Sequence, residues 1–157
     1  MNDSTAVKTL CILRLSALGD ATHVLPLIRT LQRNLPGCRI TWILGKAEAK
    51  LMEGLENVEL IAFDKKSGLK GVKQLAQQLA GKRFDVLLQM QLALRANLIS
   101  AVIPAKRRIG YNTGRSKEGH GLFINQRIAS GKHHVLDVFG LFAEPLGFSQ
   151  TDIRWDI

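Results

Sequence analysis

Asp20 sits where a short sequence could do chemistry. The stretch Ile12-Leu13-Arg14-Leu15-Ser16-Ala17-Leu18-Gly19-Asp20 runs from apolar, strand-like residues into small ones, and a helical pattern follows it. A carboxylate just beyond the carboxyl end of a first strand lies where open parallel sheets bind ligands. There it can act as a general base. Ser16, Gly19 and the helix start can offer N–H groups to an anion. The same Asp20 also suits a plain helix N-cap, and the pattern alone leaves both readings open. The segment has a single glycine and no Gly-Lys-Ser/Thr, so it is neither a GxGxxG fingerprint nor a P-loop.

Other polar groups recur at equivalent places. Lys65, Lys66, Lys70 and Lys73 surround the start of a predicted helix over 68–80. Cations there oppose the helix dipole, which an anion would relieve; the bland alternative is a solvated helix start. Gln89, Gln91 and Arg95 follow a predicted fourth strand, Lys106-Arg107-Arg108 forms a second basic cluster, and His133-His134 opens a predicted last helix. Neither a Ser-His-Asp order nor a pair of carboxylates stands out. Cys11 and Cys38 lack metal-ligand spacing and are expected to be buried thiols.

The elements that must position these groups alternate. Apolar runs predict strands over 7–15, 39–44, 58–63, 84–90 and 107–110, with a short one inside 121–128. Helical spacing covers 22–34, 47–54, 68–80, 92–103 and 132–146, and 112–121 is expected to be a loop. Alternation of this kind predicts an α/β fold, a Rossmann-like parallel sheet with helices on both faces. The 157 residues suit one domain. Twenty-two Lys and Arg against 13 Asp and Glu give a net charge of +9, which favours an anionic partner. Aromatic residues make up only 6%, which argues against base stacking on single-stranded nucleic acid. No stretch reads as a signal peptide or a membrane span, so a cytoplasmic location is expected. Residues 151–157 read as the start of another element and end on Trp155-Asp156-Ile157, an apolar end expected either to dock on the core or to continue into a further domain.

Several segments, in order, resemble glycosyltransferase family 9, the ADP-heptose:lipopolysaccharide heptosyltransferases. They are 12–20 with Pro26-Leu27-Ile28-Arg29, Pro36-Gly37-Cys38-Arg39-Ile40-Thr41-Trp42 and 84–91. Arg107-Arg108-Ile109-Gly110-Tyr111, Asn125-Gln126-Arg127, His133-His134-Val135 and Glu144-Pro145-Leu146-Gly147 complete the set. The resemblance implies the N-terminal half of a B-type glycosyltransferase. Residues 1–150 would form the acceptor-binding domain and 151–157 the start of an interdomain linker. The ADP-sugar donor would sit on a C-terminal domain absent from this chain, which alone would be inactive and bind no cofactor. Asp20 would be the catalytic base of an inverting transfer of heptose to the lipopolysaccharide inner core, with no metal. Arg14, Ser16, Lys65, Lys66, Lys70, Gln91, Arg95 and His133 would face the acceptor. The partners implied are a phosphorylated lipopolysaccharide core and the cytoplasmic face of the inner membrane, held peripherally, with no nucleic acid.

Two segments depart from the family's pattern. Its Asp-Leu-Gln-Gly reads Gln89-Met90-Gln91-Leu92, and its Glu-Arg after the histidine reads Leu136-Asp137. The competing functions are a free-standing basic α/β module for RNA or an anionic lipid surface, and a scaffold whose charge only aids solubility. A basic stripe on a helix face away from the strand ends would favour the binding module.

Overall fold

The apolar runs assemble into one sheet. The structure, a computed structural model, describes residues 7–15, 18–64, 66–90, 94–110, 124 and 126–127. Its elements are β1 (Thr9–Leu13), α1 (Leu18–Asn34), β2 (Arg39–Gly45), α2 (Lys46–Leu51), β3 (Val58–Phe63) and α3 (Gly68–Gln78). They continue with β4 (Phe84–Gln89), α4 (Leu94–Ala101), β5 (Ala105–Gly110) and β6 (Gln126–Arg127). All strand pairs are parallel, in the order β3-β2-β1-β4-β5-β6.

The central strands are apolar at nearly every position because both faces are covered. On one face Leu10, Ile12, Ile40, Trp42, Leu44, Val86 and Leu88 pack with Val24, Leu27, Ile28 and Leu31 of α1 and with Met52 after α2. On the other, Cys11, Leu13, Ile43 and Leu87 pack with Leu75 and Leu79 from α3 and its end, and with Ala96 and Ile99 of α4. Side chains alternate across a strand, so Ile12 and Leu13 serve different helix layers. Gly37 (φ 85) and Gly81 (φ 83) turn the chain back after α1 and α3 in a conformation that L side chains rarely adopt.

The strand and helix alternation expected from sequence is present, with shifted bounds. The largest shift is α1, which begins at Leu18 rather than Thr22 and holds Pro26 in its interior. Pro26 cannot donate to the preceding turn. The Pro26 carbonyl accepts from the Thr30 hydroxyl at 2.9 Å, and the Thr30 carbonyl from the Asn34 amide at 2.8 Å. The predicted loop over 112–121, the predicted helix over 132–146 and the segment 151–157 lie outside the described residues.

Candidate functional site

The strand order sets the location. From β1, the chain proceeds to β2 and β3 on one side, then returns to β4 on the other. The crevice beyond the carboxyl ends of β1 and β4 is therefore the topological switch point, where open α/β sheets bind ligands. Arg14 and Leu15 leave β1 there, and Gln89 and Met90 close β4.

Arg14 is fastened on three sides. Its N–H donates to the Ile43 carbonyl at 3.1 Å, and its carbonyl accepts from the indole N–H of fully buried Trp42 at 3.2 Å. Its guanidinium Nη1 donates to the Met90 carbonyl at 2.6 Å. The Met90 N–H returns to the Leu13 carbonyl and the Gly45 N–H to that of Leu15, both at 3.0 Å. Charge-assisted hydrogen bonds are the stronger kind, so a half-buried, permanent positive charge ties the two strand ends together. Gln89 is fully buried beside it, in register with Leu13.

Asp20 follows at once. It is the third residue of α1, inside the first turn, so the N-cap reading is corrected: the helix starts two residues earlier. A carboxylate there is favoured by the positive end of the helix dipole. The side chains of Asp20 and Arg95 are not among those described, and Ser16, Lys65, Gln91 and His133 lie outside the described residues. The α1 start and the lysine cluster share one edge of the sheet, since each follows the carboxyl end of a parallel strand.

Asp64, which the sequence reading passed over, organises the turn after β3. Its carboxylate accepts the Lys66 N–H at 3.0 Å and lies 3.6 Å from the Lys46 ammonium. Its carbonyl accepts from both the Ser67 N–H at 3.0 Å and the Ser67 hydroxyl at 2.6 Å. The Lys66 N–H first, and the Lys46 cation with it, hold the Asp64 carboxyl below its usual range. Turn composition, Asp-Lys-Lys-Ser-Gly, was the signal available. A cleft of about 510 Å³ opens beside this turn, lined among others by Lys46, Asp64, Ser67 and Gln74. Lys66 and Lys70 are exposed. Glu48, also passed over, is buried in the first turn of α2, again on the carboxyl edge.

The second basic cluster is strand rather than patch. Lys106-Arg107-Arg108 lies in β5, and the Arg108 guanidinium donates to the Ile103 carbonyl at 2.8 Å and to the Ser100 carbonyl, capping the end of α4. Cys11 is buried as expected. Cys38 is only half-buried, and desolvation pushes its thiol up to about 11. Among the described residues no three His, Cys, Asp or Glu side chains could share a metal ion.

A larger cleft, about 880 Å³, is at the opposite, amino edge of the sheet. There Asp85 accepts the N–H groups of Lys8 and Thr9 at 2.8 and 3.2 Å. The Thr9 hydroxyl donates to the Arg83 carbonyl at 3.1 Å, and Glu59 binds both Lys82 at 3.0 Å and Thr41 at 3.2 Å.

Residues 72–157 match the family described as glycosyltransferase family 9 (heptosyltransferase). The chain belongs to that family. It is 46% identical over 153 residues to the lipopolysaccharide core heptosyltransferase OpsX of Haemophilus influenzae, covering 97% of this chain and 44% of that protein. It is 25% identical over 159 residues to lipopolysaccharide heptosyltransferase 1 of Escherichia coli K12, covering 92% and 50%. This family 9 chain thus spans about half the length of the curated relatives it matches. A glycosyl transferase family 9 structure from Veillonella parvula superposes with a TM-score of 0.80 at 22% identity, over 92% of this chain and 43% of that one. Escherichia coli heptosyltransferase WaaC with ADP-2-deoxy-2-fluoro heptose gives 0.80 at 22% identity, over 94% and 51%. Both share the parallel α/β fold.

Proposed function

We propose that this chain is the acceptor-binding part of an inverting glycosyltransferase that moves heptose from an ADP-sugar to the lipopolysaccharide inner core. The observation that carries this reading is the switch point itself, with Arg14 locked across β1 and β4 and the helix bearing Asp20 starting beside it. The family supplies the reaction class, and OpsX, by its name, acts on the lipopolysaccharide core.

In this mechanism the acceptor hydroxyl lies at the crevice. The Asp20 carboxylate removes its proton as that oxygen attacks the anomeric carbon of the donor. The bond to ADP breaks on the opposite side, so configuration inverts. Residues beyond this chain hold the donor. Arg14, Ser16, Gln91, Arg95 and His133 face the acceptor, while Lys65, Lys66 and Lys70 meet its phosphates as they approach the same edge. Catalysis needs hydroxyl and donor held together, and such positioning contributes about 7–11 kcal/mol. The 157 residues alone are therefore inactive. The protein works on the cytoplasmic face of the inner membrane; no helix among the described residues is long and apolar enough to cross it.

The reading is tested with Asp20→Asn in the full-length protein. Single-turnover transfer to phosphorylated core saccharide should collapse while acceptor affinity holds. Transfer at the unmodified rate would remove Asp20 as the base.

A further inference from the structure

Helix α3 has two unlike faces. Gly71, Leu75 and the following Leu79 turn inward, with Val72 partly buried. Lys66, Leu69, Lys70 and Lys73, spaced i, i+3, i+4 and i+7, form one outward stripe from the preceding turn into the helix. All four are exposed. Leu69 is 78% exposed, against 42% and 41% for Leu51 and Leu98, the other exposed large apolar residues among those described. The sequence of α3 contains no acidic residue. The nearby Asp64 is taken up by the Lys66 N–H and Lys46. Farther along, the outward positions change to Gln74, Gln77 and Gln78, so the cations crowd the amino-terminal half.

We propose that this stripe is a docking surface for an anionic lipid bilayer, with Leu69 entering the headgroup region, Lys73 meeting lipid phosphates, and Lys66 and Lys70 meeting the phosphates of lipid or of bound acceptor in that same layer. An apolar side chain framed by cations is the pattern of surfaces that lie on membranes. A single-stranded nucleic acid would call for stacking residues, and the stripe offers a leucine and no aromatic ring. Placement supports the same occupant. The stripe begins just after the carboxyl end of β3, on the edge that holds the switch point, and β3 lies two strands from β1. Two strand spacings are about 9.5 Å, a short reach for a saccharide whose lipid end stays in that bilayer. Only this last step rests on the acceptor reading above; docking itself does not.

The test uses full-length protein with vesicles of phosphatidylcholine alone or mixed equally with phosphatidylglycerol. Leu69 and Lys73 are the positions to change, because the acceptor assignment does not use them. Cosedimentation should occur with the anionic vesicles only and weaken with salt. Leu69→Ser should lower vesicle affinity roughly tenfold, and Lys73→Gln about fivefold. Neither should change the melting temperature, or transfer to a lipid-free, water-soluble acceptor. Unchanged vesicle affinity in Leu69→Ser would overturn the proposal, as would tighter binding of the unmodified protein to RNA than to anionic vesicles. Loss of soluble-acceptor transfer in Leu69→Ser with vesicle binding intact would also overturn it, and would assign the stripe to the saccharide. No transfer by the unmodified protein, with vesicle binding sensitive to Leu69, would sink the acceptor reading and support the docking surface.

Discussion

The two edges of this sheet use their polar residues in opposite ways. At the amino edge they satisfy one another: Asp85 takes two backbone N–H groups, Thr9 donates to Arg83, and Glu59 holds Lys82 and Thr41. At the carboxyl edge they are held out by the backbone: Arg14 is pinned beside the crevice, Asp20 enters the first turn of α1, and lysines stand exposed around α3. The amino edge has the larger cleft, about 880 against 510 Å³. On the acceptor reading proposed above, the chemistry belongs to the edge with the smaller of these two clefts, where the lysines around α3 stand exposed, and the polar pairs of the amino edge are structural.

That contrast is most sharply tested by exchanging one carboxylate from each edge in the full-length protein. Asp20→Asn should slow transfer by about 10²–10⁴-fold in single-turnover kinetics. Asp85→Asn should leave the rate within about twofold, since the base it lacks is not catalytic. Equal losses from both would erase the distinction between the edges.

Arg14→Met should come next in size. It removes the guanidinium from the Met90 carbonyl, at a cost of about 1.5–3 kcal/mol, the range for hydrogen bonds to charged groups. Thermal melting should fall by roughly 2–4 °C for each kcal/mol. Transfer should fall too, because the crevice loses both its charge and its brace. A variant as stable and as active as the unmodified protein would show that the brace is dispensable.

At the amino edge Asp85→Ala should destabilise by about 1–2 kcal/mol in urea unfolding, because the Lys8 and Thr9 N–H groups lose their acceptor. A kinetic effect beyond that of stability would place function on this edge.

The smallest effect belongs to Lys82→Met. The Lys82 ammonium, by its hydrogen bond first, holds the Glu59 carboxyl below its usual range. A depressed carboxyl stabilises the fold above the unfolded-chain value of about 4.3, and that contribution is lost as pH falls through the folded value. The pair is largely exposed, so Lys82→Met should cost under about 1 kcal/mol at neutral pH. Melting curves of the two proteins should converge as pH drops below about 4. A gap that persists in acid would mean that the Lys82 stem, and not its charge, does the stabilising.

The layers were legible because their signals are local. Strand β3 occupies 58–63 as the apolar run predicts, and α3 starts at Gly68 as its spacing predicts. The start of α1 was not: Asp20 suits an N-cap as well as it suits a first turn, and the helix expected from Thr22 begins at Leu18. The carboxyl edge could be foreseen from alternation alone, as could the nearness of the lysine cluster to it. What the guanidiniums touch could not. Arg14 reaches a carbonyl 76 positions away, and Arg108 reaches back into the end of α4. Residue type records that a cation is present and says nothing of whether folding leaves it available.

The same switch point has a consequence in time. On a ribosome, β2 and β3 follow β1 before its second neighbour is made: Leu10 pairs with Val86. At about 5–20 residues per second, β1 waits roughly 4–15 s with one flank open. That flank belongs to Leu10-Cys11-Ile12-Leu13, apolar residues that are wholly buried once the sheet is complete. An open apolar strand edge is a template for pairing with another chain. The arrangement that creates the crevice thus also gives the nascent protein its period of greatest exposure to misassembly, which ends only when β4 arrives.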